Sequence, residues 1–188
     1  EALSSKMDIK AFIFDMDGLL FDSERIVQRS WEMAGDELGI PHMGDVIYHT
    51  LGMNRTGRNE YFRKYIREDF PFEEFGRLTR DNFWKIVDKE GLPLKKGVKE
   101  LLAYGKEQGY KMAVATSSSR EYAMGNLIRA GIDSYFDNVI CGDMVKKAKP
   151  DPEIYQKACE SLGIPPADCM AFEDAPGGIL SAHQAGMQ

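Results

Sequence analysis

The chain has 188 residues, enough for one hydrophobic core or for one core with a small insertion. Its 43% hydrophobic and 29% charged residues are typical of a globular protein, and no apolar run approaches the roughly 20 residues that span a bilayer. The net charge of −6 argues against nucleic acid and anionic membranes as partners, but it is compatible with a small anionic ligand held by local positive charges.

The N-terminus and the cysteines indicate a compartment. The first ten residues, EALSSKMDIK, contain no apolar stretch and therefore do not resemble a secretory signal. Cys141, Cys159 and Cys169 lack the CxxC spacing typical of zinc sites. We therefore expect free thiols in a reducing environment, and hence a cytoplasmic protein, and we expect it to be a monomer.

The first predicted element is a strand, AFIFD at residues 11–15, whose apolar residues do not alternate with polar ones. Such a run is typical of a strand buried on both faces of a parallel sheet. Asp15 and Asp17 come at its end, and alternation along a strand would point both side chains the same way. Two carboxylates this close repel each other, so the pair is either a solvated turn or a site that requires a cation.

The next region, residues 23–90, contains helical patterns and no strand-like run. About 70 residues of helix are too many for a connection inside an α/β fold. We therefore predict a small all-α domain, a helical bundle at residues 22–93, inserted after the first strand. Within it, the segment LGMNRTGRN predicts a glycine-flanked loop that carries Arg55 and Arg58.

Three further strand-like runs follow, with helical patterns between them: KMAVAT at 111–116, NVICG at 138–142 and CMAFED at 169–174. This alternation predicts an α/β fold, in which a doubly wound, Rossmann-like parallel sheet is built from residues 7–21 and 94–188.

Polar residues stand at the predicted strand ends, where open parallel sheets bind ligands. Thr116, Ser117 and Ser118 follow the second strand at the start of a helix, an arrangement that can hold a phosphate group. Lys149 precedes a proline, which favours an extended backbone at the lysine. These residues can therefore meet the two aspartates at one edge of the sheet.

Up to four carboxylates would gather at this edge: Asp15, Asp17, Glu173 and Asp174. An oxygen-only site with few ligands suits Mg²⁺. A carboxylate in such a site could attack phosphorus and form an aspartyl-phosphate, and the second aspartate could serve as acid and base. The residue types thus indicate phosphoryl transfer.

Four segments, FDMDGLLFDSE, VATSSS, KPDPEIY and FEDAPGGI, resemble the four motifs of the haloacid dehalogenase-like phosphatases. The inserted helices resemble the small cap of the β-phosphoglucomutase-like branch. The resemblance implies that Asp15 is the nucleophile, that Asp17 is the general acid and base, and that Thr116 and Lys149 hold the phosphoryl group. The implied Mg²⁺ ligands are the side chains of Asp15, Glu173 and Asp174 and the main-chain carbonyl of Asp17.

The same resemblance implies contacts with the substrate. Arg55 is included because the branch has a phosphate-binding arginine in a similar loop, and Glu24 because it could line the entrance. The expected substrate-binding residues are Gly18, Glu24, Arg55, Thr116, Ser117, Ser118 and Lys149.

We therefore expect a Mg²⁺-dependent phosphatase that acts on a small phosphorylated metabolite, such as a sugar phosphate. A hexose-phosphate mutase of the β-phosphoglucomutase kind is the first alternative, although Val27 stands where those mutases carry a histidine. A receiver-like signalling module is a more remote one, because receivers also use an aspartyl-phosphate, a metal and a lysine but have no helical insertion. Carbon–halogen cleavage is disfavoured, because the family's dehalogenases do not keep the aspartate at Asp17.

The family's core usually continues with at least one strand beyond the helix that ILSAHQAGM predicts. We expect either a core truncated at its C-terminus or a dispensable strand. In the first case, lower stability or self-association should result from the uncovered sheet edge.

Overall fold

The computed structural model describes residues 8–51 and 53–188. The described residues form two compact units. Residues 8–22 and 92–188 form the sheet unit, and residues 23–51 and 53–91 form the helical unit.

The described residues of the helical unit form four helices. Three aromatic rings make edge-to-face contacts at its centre, with Trp31 5.6 Å from both Phe62 and Phe75. These contacts explain the apolar stripes of the sequence, because each ring comes from a different helix. The helices are α1 (Ser23–Glu37), α2 (Met43–Thr50), α3 (Arg55–Tyr65) and α4 (Phe72–Glu90).

The expected loop around Arg55 and Arg58 is wrong, because both arginines lie at the start of α3. Asn54 is the reason: its side-chain oxygen accepts a hydrogen bond from the N–H of Gly57 at 2.8 Å. An asparagine in this position satisfies a free N–H of the first turn and fixes where a helix begins. The glycine therefore lies inside the first turn of the helix and does not break it.

The sheet unit contains four parallel strands in the order β3-β2-β1-β4, which confirms the predicted α/β fold. Each strand ends one or two residues before its predicted carboxyl end. The strands are β1 (Ala11–Phe14), β2 (Lys111–Ala115), β3 (Asn138–Ile140) and β4 (Cys169–Phe172).

Helices follow the strands as the alternation predicts. The helices of the sheet unit are α5 (Val98–Glu107), α6 (Arg120–Arg129), α7 (Glu153–Leu162) and α8 (Pro176–Gln184). None of the helices in the described part of the chain combines the length and the apolar character that crossing a bilayer requires.

Both faces of β1 are buried, which accounts for its unbroken apolar sequence. On one face, Ala11 and Ile13 belong to a core that includes apolar residues of α7. On the other face, the ring of Phe12 stacks on Tyr110 at 4.2 Å, and the ring of Phe14 stacks on Phe172 at 4.8 Å. This central strand is therefore fixed from both sides, and the residue that follows it has a well-supported backbone.

Candidate active site

Three residues of the candidate site stand directly after strands. Asp15 follows β1, Thr116 follows β2, and Glu173 follows β4. Since β1 lies between β2 and β4, the structure brings these three residues to one edge of the sheet. The N–H of Asp15 also donates to the carbonyl of Phe172 at 2.9 Å, which holds the backbone from which the carboxylate projects.

An acidic cluster forms at this edge. Asp15, Glu173 and Asp174 each offer a carboxylate oxygen, and these atoms lie within 4.8 Å of one another. Burial and a hydrogen bond with Asp174 raise the pKa of Asp15 to about 7, although the charge of Lys149 lowers it. Oxygen-only donors that repel one another are the donor set that a hard divalent cation such as Mg²⁺ fits.

Lys149 is the cation of the cluster. Its Nζ donates to Oδ1 of Asp15 at 3.1 Å, to the carbonyl of Ala115 at 3.1 Å, and to Oε1 of Glu173. Its side chain is 12% exposed, so the charge is screened little by water. Lys149 contacts two of the three carboxylates, Asp15 and Glu173, and its single positive charge leaves the cluster with net negative charge.

Glu173 is held more tightly than its neighbours. The buried hydroxyl of Tyr155 donates to Oε1 of Glu173 at 2.5 Å. On another side the carboxylate lies against Gly178, where a Cβ atom would be 2.1 Å from Cδ of Glu173. This glycine therefore leaves the space that the carboxylate occupies.

Asp17 makes different contacts from Asp15, because β1 ends at Phe14 and the alternation expected for a strand does not extend to Asp17. The hydroxyl of Ser118 donates to Oδ2 of Asp17 at 2.9 Å, and the hydroxyl of Tyr122 donates to Oδ1 at 3.3 Å. Burial raises the pKa of Asp17, while these two hydrogen bonds lower it. Both carboxylate oxygens are thus oriented by donors from the segment that follows β2.

The hydroxyl segment after β2 is ordered by its own backbone. Thr116 is 1% exposed, and its Oγ1 accepts a hydrogen bond from the N–H of Ser118 at 3.2 Å. Ser117 is exposed, and the oxygen of Ser119 accepts from the N–H of Tyr122 at 3.3 Å, which begins α6. The side chain of Ser119 already caps the helix. Of these two serines, Ser117 is therefore the one whose side chain is available for a ligand.

Gly18 has a structural reason to be glycine. Its φ is +81°, and a Cβ atom there would lie 2.1 Å from Oδ2 of Asp174. Gly18 thus allows the turn after Asp17 to approach the acidic cluster closely.

Two expected substrate residues belong to the helical unit. Glu24 lies in the first turn of α1 and is exposed, and Arg55 is the first residue of α3 and is also exposed. The positions of Glu24 and Arg55 do not by themselves show that either residue contacts a ligand.

Sequence reasoning missed two hydroxyl donors, Tyr122 and Tyr155. Tyr155 lies inside the motif KPDPEIY, and Tyr122 lies three residues after Ser119, so both are in or next to the motifs of the sequence. Their partners, Asp17 and Glu173, come from other strands, and no spacing along the chain indicates such contacts. The signal that the sequence offered was a tyrosine a few residues after a polar segment that follows a predicted strand.

Comparisons with known proteins agree with this arrangement. Residues 9–186 match the family model of haloacid dehalogenase-like hydrolases. The Bacillus subtilis protein YhcW is 35% identical, over 96% of this chain and 81% of its own. A Thermotoga maritima protein named phosphorylated carbohydrates phosphatase is 32% identical, over 96% of this chain and 83% of its own.

A solved structure shows the same similarity. The β-phosphoglucomutase of Clostridium difficile superposes with a TM-score of 0.62 at 25% identity, covering 95% of this chain and 82% of the mutase. The family model, the relatives and the parallel sheet all agree. The chain belongs to the haloacid dehalogenase-like hydrolases.

Proposed function

We propose that this protein is a Mg²⁺-dependent phosphatase that hydrolyses a small phosphorylated metabolite, a sugar phosphate foremost, through an aspartyl-phosphate. The observation that carries the proposal is the group of Asp15, Glu173 and Asp174, whose carboxylate oxygens lie within 4.8 Å of one another beside Lys149. The relative named phosphorylated carbohydrates phosphatase supports the substrate class.

Asp15 is the nucleophile in this proposal. A carboxylate oxygen of Asp15 attacks phosphorus, the ester bond between phosphorus and the substrate oxygen breaks, and that oxygen takes a proton from Asp17. Water then attacks the phosphorus of the aspartyl-phosphate while Asp17 takes a proton from it. Inorganic phosphate leaves, and Asp15 is regenerated.

Mg²⁺ would be held by the carboxylates of Asp15, Glu173 and Asp174 and by the main-chain carbonyl of Asp17. When bound, it would supply positive charge that offsets the negative charge of the phosphoryl group and of the nucleophile.

Positioning of the phosphoryl group is the role of Lys149 and Thr116, with Ser117 and Ser118 beside them. Lys149 already lies 3.1 Å from Oδ1 of Asp15, so its charge is close to the attacking carboxylate. A fixed ammonium group lowers the barrier as charge develops on the transferred group, because it requires no reorganisation. Ser118 and Tyr122 orient Asp17 for proton transfer.

The test is hydrolysis of a panel of phosphate esters by protein shown to be folded. We expect release of inorganic phosphate with Mg²⁺, loss of activity with EDTA, and a loss of at least about 10³-fold in Asp15→Asn. Asp36→Asn, at an exposed carboxylate of α1, is the matched control. The absence of turnover of any ester, or full activity in Asp15→Asn, contradicts the proposal.

The mutase remains the second candidate, because the Clostridium difficile β-phosphoglucomutase resembles 95% of the chain. Val27, at the place of the mutase histidine, packs against the core of the helical unit. Incubation with β-glucose 1-phosphate and a bisphosphate primer separates the two, since a mutase forms glucose 6-phosphate and a phosphatase releases inorganic phosphate. A phosphoenzyme that lasts for minutes without turnover would favour the receiver-like alternative.

A further inference from the structure

The side chain of Tyr155 lies in the core of the sheet unit and reaches the acidic cluster from within. Tyr155 is the third residue of α7, and 0% of its surface is exposed. It belongs to the same apolar core as Ile13 of β1 and Ala115 of β2. The ring is therefore packed under the strands whose ends carry the candidate site.

The start of α7 is tied to the loop before it. The carboxylate of Glu153 accepts hydrogen bonds from the N–H of Lys146 at 3.0 Å and from the N–H of Lys147 at 2.8 Å. Because Glu153 is the first residue of the helix, these bonds fix the turn from which Tyr155 projects. The hydroxyl of Tyr155 thus has a well-supported position.

A hydroxyl group in this core carries a free-energy cost. Moving it out of water is unfavourable unless a new hydrogen bond forms, and phenylalanine would fill the same space without that cost. The hydroxyl of Tyr155 makes its hydrogen bond to Oε1 of Glu173, whose side chain is 3% exposed. The tyrosine is thus explained by its contact with the acidic cluster and not by packing alone.

Tyr155 also contacts Lys149. The Nζ atom of Lys149 lies 5.1 Å from the centre of the Tyr155 ring, which is a cation–π contact. One side chain therefore touches both members of the ion pair between Lys149 and Glu173, the first with its ring and the second with its hydroxyl. Phenylalanine at this position would keep the first contact and lose the second.

All three N–H donors of Lys149 are engaged. They go to Oδ1 of Asp15, to the carbonyl of Ala115 and to Oε1 of Glu173. If Lys149 holds the phosphoryl group, as proposed above, it must release one of these acceptors. Tyr155 then remains as a donor to Glu173, so the buried carboxylate keeps a hydrogen bond when Lys149 turns away.

The two carboxylate oxygens of Glu173 are not equivalent. Oε1 accepts hydrogen bonds from Tyr155 and Lys149, whereas Oε2 accepts none from the residues that the structure describes. Two donors occupy the lone pairs of Oε1, so the lone pairs of Oε2 remain free for a cation. A donor fixed in the core thus orients a carboxylate in the manner typical of the groups behind metal ligands.

We propose that Tyr155 is a positioning residue for the metal site, whose hydroxyl holds Glu173 with one oxygen available for a divalent cation and lets Lys149 turn to the phosphoryl group. This inference rests on the proposed function, because it takes Glu173 as a ligand of Mg²⁺ and Lys149 as a ligand of the phosphoryl group. Hydrogen-bond partners of metal ligands typically contribute about 10–100-fold to metal affinity.

The first experiment measures metal binding without turnover. Mn²⁺, which prefers the same oxygen ligands as Mg²⁺ and is detected by electron paramagnetic resonance, is titrated into the full, metal-free chain. We expect Tyr155→Phe to raise the Kd for Mn²⁺ by about ten-fold or more. Tyr110→Phe is the matched control, because Tyr110 stacks on Phe12 next to the amino end of β2, and its Kd should equal that of the wild type.

The second experiment separates positioning from a general structural defect. With an ester that the wild type hydrolyses, the Mg²⁺ concentration that gives half the maximal rate should rise about ten-fold or more in Tyr155→Phe. At saturating Mg²⁺, kcat should stay within about three-fold of the wild type, because the ring still lies beside Lys149. A structural defect would lower kcat at every Mg²⁺ concentration.

The outcomes of the Mn²⁺ titration decide on the proposal independently of turnover. Weaker binding in Tyr155→Phe, with Tyr110→Phe like the wild type, supports it even if the folded protein hydrolyses no ester and the proposed function fails. Wild-type affinity in Tyr155→Phe, or an equal loss in both variants, overturns it and leaves a Mg²⁺-dependent phosphatase activity untouched. If the folded wild type binds no Mn²⁺, the role of Tyr155 and the proposed metal site are both refuted.

Discussion

The hydroxyl of Tyr122, in α6, donates a hydrogen bond to Oδ1 of Asp17 at 3.3 Å, between segments far apart in the chain. Ser118 donates to the other carboxylate oxygen at 2.9 Å, so the carboxylate cannot rotate without losing a partner. Tyr122 is therefore a positioning residue for the proposed acid and base, and its role should appear in the protonation of the leaving group.

We predict that Tyr122→Phe lowers kcat/KM for a sugar phosphate by about ten-fold or more, a part of the 10²–10⁴-fold that general acid catalysis typically contributes. For p-nitrophenyl phosphate, whose leaving group needs no proton, kcat/KM should change by less than about three-fold. Tyr104→Phe, at an exposed tyrosine of α5, is the control. An equal loss for both esters would show that Tyr122 does not act through proton transfer.

The close contact between Glu173 and Gly178 gives a second prediction. Gly178→Ala places a methyl group 2.1 Å from Cδ of Glu173, which should displace the carboxylate and reduce kcat/KM by about ten-fold or more. Gly177→Ala is a matched control, because a Cβ atom at Gly177 meets nothing within 4 Å. The control should keep full activity and gain about 0.5–1 kcal/mol of stability from the better helix former. Equal activity of the two variants in a steady-state assay would contradict this account of Gly178.

The backbone crossing at Gly142 gives a third. Its N–H donates to the carbonyl of Ser118 at 2.8 Å, and a Cβ atom there would lie 2.1 Å from the carbonyl oxygen of Ser117. Gly142→Ala should therefore push the hydroxyl segment out of place and raise KM by about ten-fold. Gly125→Ala, in α6 with open space around it, should leave KM unchanged. Unchanged kinetics in both variants would separate this segment from substrate binding.

The raised pKa of Asp15 predicts a dependence of stability on pH in protein treated with EDTA. The carboxyl titrates near 3.8 when the chain is unfolded and near 7 when it is folded, so the folded state holds the extra proton between these values. The free energy of unfolding should therefore fall as the pH rises from about 4 to about 7. Asp15→Asn should flatten this fall, as measured by urea unfolding at fixed pH values.

Near pH 7 and above, Mg²⁺ should restore the stability that the metal-free protein loses, because a bound cation favours the ionised carboxylates. We expect the ion to raise the unfolding midpoint by about 2 °C or more at pH 8, and by less at pH 5. A midpoint of the metal-free protein that does not change with pH, with no response to Mg²⁺, would contradict the proposed metal site.

Much of the fold was predictable because the two central strands, β1 and β2, are buried on both faces and so carry almost unbroken apolar runs. The carboxyl ends of the strands were harder to predict. The sequence predicts Asp15, Thr116 and Glu173 as strand residues, but each comes directly after the last residue of its strand, at the edge of the candidate site. Helix α2 lies inside the region predicted as all-α, but its eight residues, Met43–Thr50, contain too few turns to define its ends from the period alone.

The candidate site was predictable as far as local motifs reach. Asp15, Lys149 and Asp174 stand in segments whose residue types alone indicate phosphoryl transfer. Contacts between distant segments, such as the hydrogen bond from Tyr155 to Glu173, could not be predicted from these motifs. The start of α3 was also hidden, because Asn54 begins a helix where glycines suggested a loop.

The pairing of β1 has a consequence for how the chain matures. Its residue Ala11 pairs with Lys111 on one side and with Cys169 on the other, both far along the chain. On a ribosome, the first strand therefore waits for this neighbour until Cys169 and the residues after it have been made, while the helical unit already has a core of its own. The candidate active site should thus assemble only at that stage of synthesis, well after the aromatic bundle has closed.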